Sequence, residues 1–122
     1  MPSSTLILTR DMSASLKDGM RSIGLAALRV GTVDDAVKKL KYGFYTAVLL
    51  DERCTNVDSL EFVLNVRDVD PAVPILILGP PRKESVDDAL RSQRGVYRIQ
   101  HLTTPEQTAE ALTNALEGKA SE

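Results

Sequence analysis

The chain has 122 residues, 43% of them hydrophobic and 26% charged, with a net charge of -2. That is enough for one domain with a real core, and the charge balance argues against nucleic acid as a direct partner. No apolar run approaches the roughly 18 residues needed to span a bilayer, and the start lacks the basic and apolar pattern of a signal peptide. The single cysteine, Cys54, excludes an intrachain disulfide and a cysteine-rich metal site. The expectation is one cytoplasmic domain over 1–122, with a core over 5–117 and a frayed tail over 118–122.

Thr5–Thr9 reads as a buried strand ending at Arg10 and Asp11. Ser13 or Ser15 caps a helix with Leu16, Met20 and Ile23 at helical spacing, closed by Gly24. Ala26–Val30 is a second strand, placed towards an edge because Arg29 interrupts it. Thr32 caps the next helix, where Val33, Ala36, Val37 and Leu40 form one apolar face; Lys38, Lys39 and Lys41 read as a solvated face. Ala47–Leu50 is an unbroken apolar run, as expected of a strand covered on both faces, and Asp51 follows it. A carboxylate there is either a cap for the next loop or a working group, since ligands of open parallel sheets bind at the carboxyl ends of strands.

Asn56 and Asp58 open a third helix carrying Leu60, Val63 and Leu64. The segment Asp70-Pro71-Ala-Val-Pro74 ends it and leads into the buried strand Ile75–Leu78. After the loop Gly79-Pro80-Pro81, Ser85 with Asp88 marks a short helix to about Gln93, and Val96–Ile99 a final strand. Thr104-Pro105-Glu-Gln107 starts the last helix, whose stripe is Ala109, Leu112 and Leu116. Five alternations of strand and helix predict an α/β sandwich with a parallel sheet and helices on both faces. Leu6, Leu8, Val48, Leu50, Leu76 and Leu78 are expected in its core.

Leu49-Leu50-Asp51, Val57-Asp58-Ser59-Leu60-Glu61, Arg67-Asp68, Asp70-Pro71 and Pro74–Leu78 resemble the receiver domain of bacterial response regulators, over essentially the whole chain. The resemblance implies a flavodoxin-like three-layer sandwich: a five-stranded parallel sheet of order 2-1-3-4-5 with five helices. It makes Asp51 the candidate phosphoacceptor for a histidine kinase, Tyr97 the aromatic switch residue, and Asp11, Asp51 and Arg53 (through its carbonyl) the Mg²⁺ contacts. Four positions depart from the family. Arg10 replaces one of two acids after the first strand, Gly79 replaces a hydroxyl residue, and Gln100-His101 replaces a Lys-Pro pair.

With Arg10 positive, Asp11 and Asp51 negative and Gln100 neutral, these pocket residues sum to -1, against -2 in the family. Arg10 is therefore expected to point into the pocket and pair with Asp51 or Asp11, taking over much of the metal's role. Mg²⁺ binding is expected to be weak or absent, no other cofactor is expected, and the bond before His101 is expected trans. The favoured reading is a pseudo-receiver, a phosphorelay-type signalling domain with a degenerate pocket that works through contacts with a histidine kinase or a downstream effector. It is not an enzyme and touches neither nucleic acid nor membrane. The alternative is a receiver whose Asp51 accepts a phosphoryl group; a cofactor-binding enzyme is disfavoured because Thr9–Ser15 is a poor phosphate loop. Tyr97, Val86 and the start of the last helix are expected to form a standing interaction face. His101 reads as an exposed loop residue and Cys54 as an ordinary packed or half-exposed thiol.

Overall fold

Three layers build the chain in the computed structural model, which describes residues 3–100 and 103–117 apart from the side chains of residues 3 and 54. Strands β1 (Ser3–Leu8), β2 (Leu25–Val30), β3 (Ala47–Asp51), β4 (Ile75–Leu78) and β5 (Val96–Ile99) form one sheet. Its order is β2-β1-β3-β4-β5 and every neighbouring pair is parallel. Helices α1 (Ala14–Ser22), α2 (Val33–Tyr42), α3 (Ser59–Val69), α4 (Glu84–Arg91) and α5 (Pro105–Leu116) supply the crossovers, with a 3-10 turn over Glu52–Cys54. Architecture and strand order are those expected. The expectations for His101, the bond before it and the tail 118–122 concern residues outside those described, as does the side chain of Cys54.

Alternation along each strand divides the core in two. Leu6, Leu8, Val48, Leu50, Ile75 and Ile77 face one side, where Ala36, Leu40, Phe62, Val66 and Leu90 of α2, α3 and α4 cover them. Ile7, Leu49, Leu76, Leu78 and Ile99 face the other, under Leu16 and Met20 of α1 and Leu112 and Ala115 of α5. All six residues expected in the core are at most 1% exposed. Strands β3 and β4 are buried at every position, which is why they read as unbroken apolar runs.

Helix starts follow side-chain capping. The hydroxyls of Ser13, Thr32 and Thr104 and the carboxylate of Asp58 accept the backbone N–H three residues on, at 3.1–3.2 Å. Helix α4 differs from expectation. It starts at Glu84 after Lys83, which makes no side-chain cap, so Ser85 lies inside its first turn. Helices α1 and α5 approach closely at Gly19, where a Cβ would lie 2.8 Å from the Thr108 side chain. Behind β4, the Arg67 guanidinium donates to the carbonyls of Asp70, Val73 and Arg94 at 3.2, 2.6 and 2.8 Å, tying the end of α3 to the turns before β4 and β5. Burial lowers the pKa of that group, and Asp70 opposes the shift.

Thr5 on β1 is fully buried, and its Oγ1 is the one buried side-chain polar atom without a hydrogen-bond partner among the described residues. A buried hydroxyl with no partner is destabilising. Replacement Thr5→Val removes it at nearly constant shape, so urea denaturation should show a gain of about 1–3 kcal/mol; a loss would mean that the hydroxyl is satisfied in solution.

Candidate functional site

Asp51 closes β3 beside Leu78 of β4, at the carboxyl edge of the sheet, and is completely buried. A buried carboxylate is stable only when charge and hydrogen bonds compensate it. Arg53 supplies most of both. Its Nε donates to Asp51 Oδ1 at 2.9 Å, its Nη2 to Oδ2 at 3.2 Å, and its backbone N–H to Oδ1 at 3.0 Å. Thr9 Oγ1 adds a longer contact to Oδ2 at 3.4 Å. The carboxylate thus acts as cap of the 3-10 turn and as one half of a bidentate ion pair, and both of its oxygens are engaged.

The cation on Asp51 therefore comes from Arg53, two residues on; Arg10 was expected to pair with Asp51 or Asp11, and on Asp51 Arg53 takes that place. Arg10 is exposed, and its carbonyl accepts from Arg29 Nη1 at 3.4 Å, part of a tie that also engages the Thr9 carbonyl at 3.1 Å. Arg53 reaches Asp51 because a tight turn folds it back, a proximity that strand-end spacing alone does not reveal. Gly79 makes the path. It is buried with φ +107°, and a Cβ there would lie 2.8 Å from Arg53 Cγ. The absent side chain at the end of β4 is filled by the stem of Arg53. Asp11 is exposed and meets Thr9 through its backbone, its N–H donating to Thr9 Oγ1 at 3.3 Å; Gln100 is exposed at the end of β5.

A second buried carboxylate follows at once. Glu52 turns towards α4, where Arg98 Nη1 donates to its Oε1 at 2.6 Å and the Ser59 hydroxyl donates to its Oε2. Arg98 Nε donates to Asp87 Oδ1 on α4 at 2.6 Å, and Nη1 also reaches the Gly79 carbonyl at 3.0 Å. The side chains of Glu52, Asp87 and Arg98 are 4, 9 and 5% exposed. Arg82 donates to the carbonyls of Glu52 and Thr55. Asp51 thereby meets Arg53, Glu52 meets Arg98, and Asp87 meets Arg98 and, at 4.0 Å, Arg91, while Arg82 bonds backbone carbonyls. The cluster borders a cleft of about 180 Å³ between the starts of α3 and α4, lined by Val57, Ser59, Arg82 and Val86 among others.

Glu52, Asp87 and Arg98 were not singled out in the sequence. The signal that could have found them is Arg98 itself, a charge between Val96 and Ile99 in a buried strand, which requires an acidic partner. Strand alternation also places the side chain of Tyr97. Tyr97 packs half-buried with the cluster under α1 and α5, whereas Val86 packs with the cluster on the opposite face. On the α4 side of β5 the side chain is that of Arg98.

Mg²⁺ needs several oxygen ligands in near-octahedral array. Among the described residues, no group of three or more carboxylate, histidine or cysteine side chains is placed to hold a metal ion. Both Asp51 oxygens carry Arg53 donors, and a divalent ion about 5 Å from that guanidinium would meet repulsion of about 7 kcal/mol at an effective dielectric of about 20. As arranged, these residues do not fit the ion.

The fold is that of response-regulator receiver domains. The chemotaxis response regulator CheY4 of Vibrio cholerae superposes with a TM-score of 0.76 at 15% identity, over 94% of this chain and 99% of that one. A CheY-like receiver domain protein of Methanospirillum hungatei gives 0.77 at 15% identity, over 98% and 97%. The receiver domain of a Pseudomonas aeruginosa sensor histidine kinase, with a magnesium ion coordinated in its active-site cleft, gives 0.74 at 16% identity, over 96% and 99%. No family model and no curated protein sequence matches the chain. No described helix is long and apolar enough to cross a membrane.

Loss of Arg98 would leave Glu52 and Asp87 buried without their shared cation. Arg98→Met should cost about 3–5 kcal/mol in urea denaturation. Arg98→Lys should recover little, because a single ammonium cannot span both acids as the guanidinium fork does. A loss below about 1 kcal/mol for Arg98→Met would show that the network is solvated.

Proposed function

We propose that this chain is a receiver-like signalling domain whose acceptor pocket is held shut, and that it works through contacts with other proteins of a phosphorelay, a histidine kinase or a downstream effector. One observation carries this reading: Arg53 occupies both oxygens of the buried Asp51. A phosphoryl group or its mimic would have to bond one of those oxygens, which requires the guanidinium to leave. The side chain of Arg53 is 30% exposed, so its departure needs no unfolding, but it would leave Asp51 buried and unpaired. Gly79 supports the same reading, because it opens the space in which Arg53 lies and carries no hydroxyl.

The charge balance adds a second argument. An incoming metal would meet an Asp51 carboxylate already paired with Arg53, so the charge that would draw it in is compensated. No chemical step on a substrate is assigned to the domain. Its signal is the surface it presents.

The test is an amide NMR titration with beryllofluoride and Mg²⁺. The wild type should show no saturable shifts at millimolar concentrations. Arg53→Ala should gain saturable shifts around Asp51, and Gly79→Ser, whose Cβ would collide with Arg53, should gain them to a lesser extent at some cost in stability. A saturable wild-type response that Asp51→Asn abolishes would establish the other reading, a phospho-accepting receiver.

A further inference from the structure

The connection from α2 to β3 carries a feature that the Asp51 end of the sheet does not use. Residues 38–45 read Lys-Lys-Leu-Lys-Tyr-Gly-Phe-Tyr, with three lysines, no acid and three of the chain's five Phe and Tyr residues. Phe44 is 101% exposed and Tyr42 86%. Phe62, the other phenylalanine, is 0% exposed, and the other large apolar side chains left in water among the described residues, Leu28 and Leu64, are only 40 and 49% exposed. Large rings left in water beside one another mark contact surfaces, since such side chains are enriched among the residues that dominate binding energy.

The segment is also shaped. Tyr45 packs against the core cluster under α2, α3 and α4, and its ring lies against Gly43, where a Cβ would be 3.3 Å from Tyr45 Cε2. The ring forms the floor of an open cleft of about 380 Å³ whose walls are Lys38, Lys39 and Tyr42, with Asp35 at the end nearer the start of α2. Tyr42 closes α2 and Phe44 stands just beyond. The site thus offers two ammonium groups, a tyrosine wall and a projecting phenyl ring within one turn of helix and the loop after it.

We propose that this surface docks an acidic segment of a partner protein, its carboxylates against Lys38 and Lys39 and an apolar side chain against Tyr42 and Phe44. Charge complementarity selects the partner's sign. Lys38, Lys39 and Lys41 outnumber Asp35 at this site, a local excess of positive charge within a chain of net charge -2. Concavity selects a polypeptide over an anionic bilayer, because a side chain can enter the cleft and a bilayer surface cannot. The site sits before Ala47, at the end of β3 opposite Asp51, about 13 Å along the strand. It is therefore independent of what happens at Asp51.

The test is selection from a random twelve-residue peptide library against the wild-type domain, with the bound peptides mapped by amide NMR. The recovered peptides should be rich in Asp and Glu around an apolar or aromatic residue and should shift the amides of Lys38, Lys39, Tyr42 and Phe44. Affinity should fall at least tenfold in the double variant Tyr42→Ser/Phe44→Ser and again in Lys38→Glu/Lys39→Glu. Both pairs are exposed, and an unchanged urea midpoint would show that the fold persists. No acidic enrichment, or binding indifferent to both variants, would overturn the proposal. So would sedimentation of the domain with phosphatidylserine vesicles that depends on Phe44, which would assign the patch to a membrane.

Discussion

A carboxylate taken wholly out of water at the end of a central strand is unstable unless something holds it, and much of the upper edge of this domain is arranged to do so. Asp51 is held by a guanidinium from the turn it caps, by the N–H of that turn and by Thr9. Each of those contacts fixes a neighbour. Arg53 must fold back over β4, which requires Gly79. The turn must tighten, which aims Glu52 away from Asp51 and towards α4. The ion pair is worth little as stabilisation compared with an apolar filling, yet removing one partner would be costly, so the pair fixes geometry more than it adds stability.

The second carboxylate carries the arrangement across to the helical layer. Arg98 reaches from β5 to Glu52 after β3 and to Asp87 on α4, and it also bonds the Gly79 carbonyl. Two adjacent acids therefore have separate arginines, and those arginines are in contact with the same glycine, one through its stem and one through a hydrogen bond. This physical chain links the Asp51 turn to α4 without using Tyr97, which faces α1 and α5. A change at Asp51 would be felt at α4 only if Arg53 moved and the turn with it.

Much of the fold was legible in the sequence. Val48 to Leu50 and Ile75 to Leu78 are buried on both faces, and an unbroken apolar run states that directly. Caps at Thr32, Asp58 and Thr104 are local chemistry within three residues, and they are where the pattern placed them. The end of α4 nearest the site was misplaced because Lys83 offers no capping side chain to read. In the site, Asp51 was legible and its partner was not. Arg10 and Arg53 both lie near the strand ends, and the choice between them depends on a turn's geometry and on the space above Gly79. Arg98, Glu52 and Asp87 come from β5, the turn after β3 and α4, a conjunction that only the tertiary fold creates.

The domain thus has two differently built ends. At the carboxyl edge of the sheet, charge is buried and balanced; at the other, Tyr42 and Phe44 stand in solvent among lysines. The central claim is that Arg53 closes on Asp51 in solution, and the arginine Nε–H region of a ¹H–¹⁵N NMR spectrum tests it most directly. The account predicts one Nε–H, assigned to Arg53 by its loss in Arg53→Lys, that is shifted away from the exposed arginines, exchanges slowly with water and joins them in Asp51→Ala. An Arg53 signal that exchanges as fast as those of the exposed arginines and ignores Asp51→Ala would contradict it.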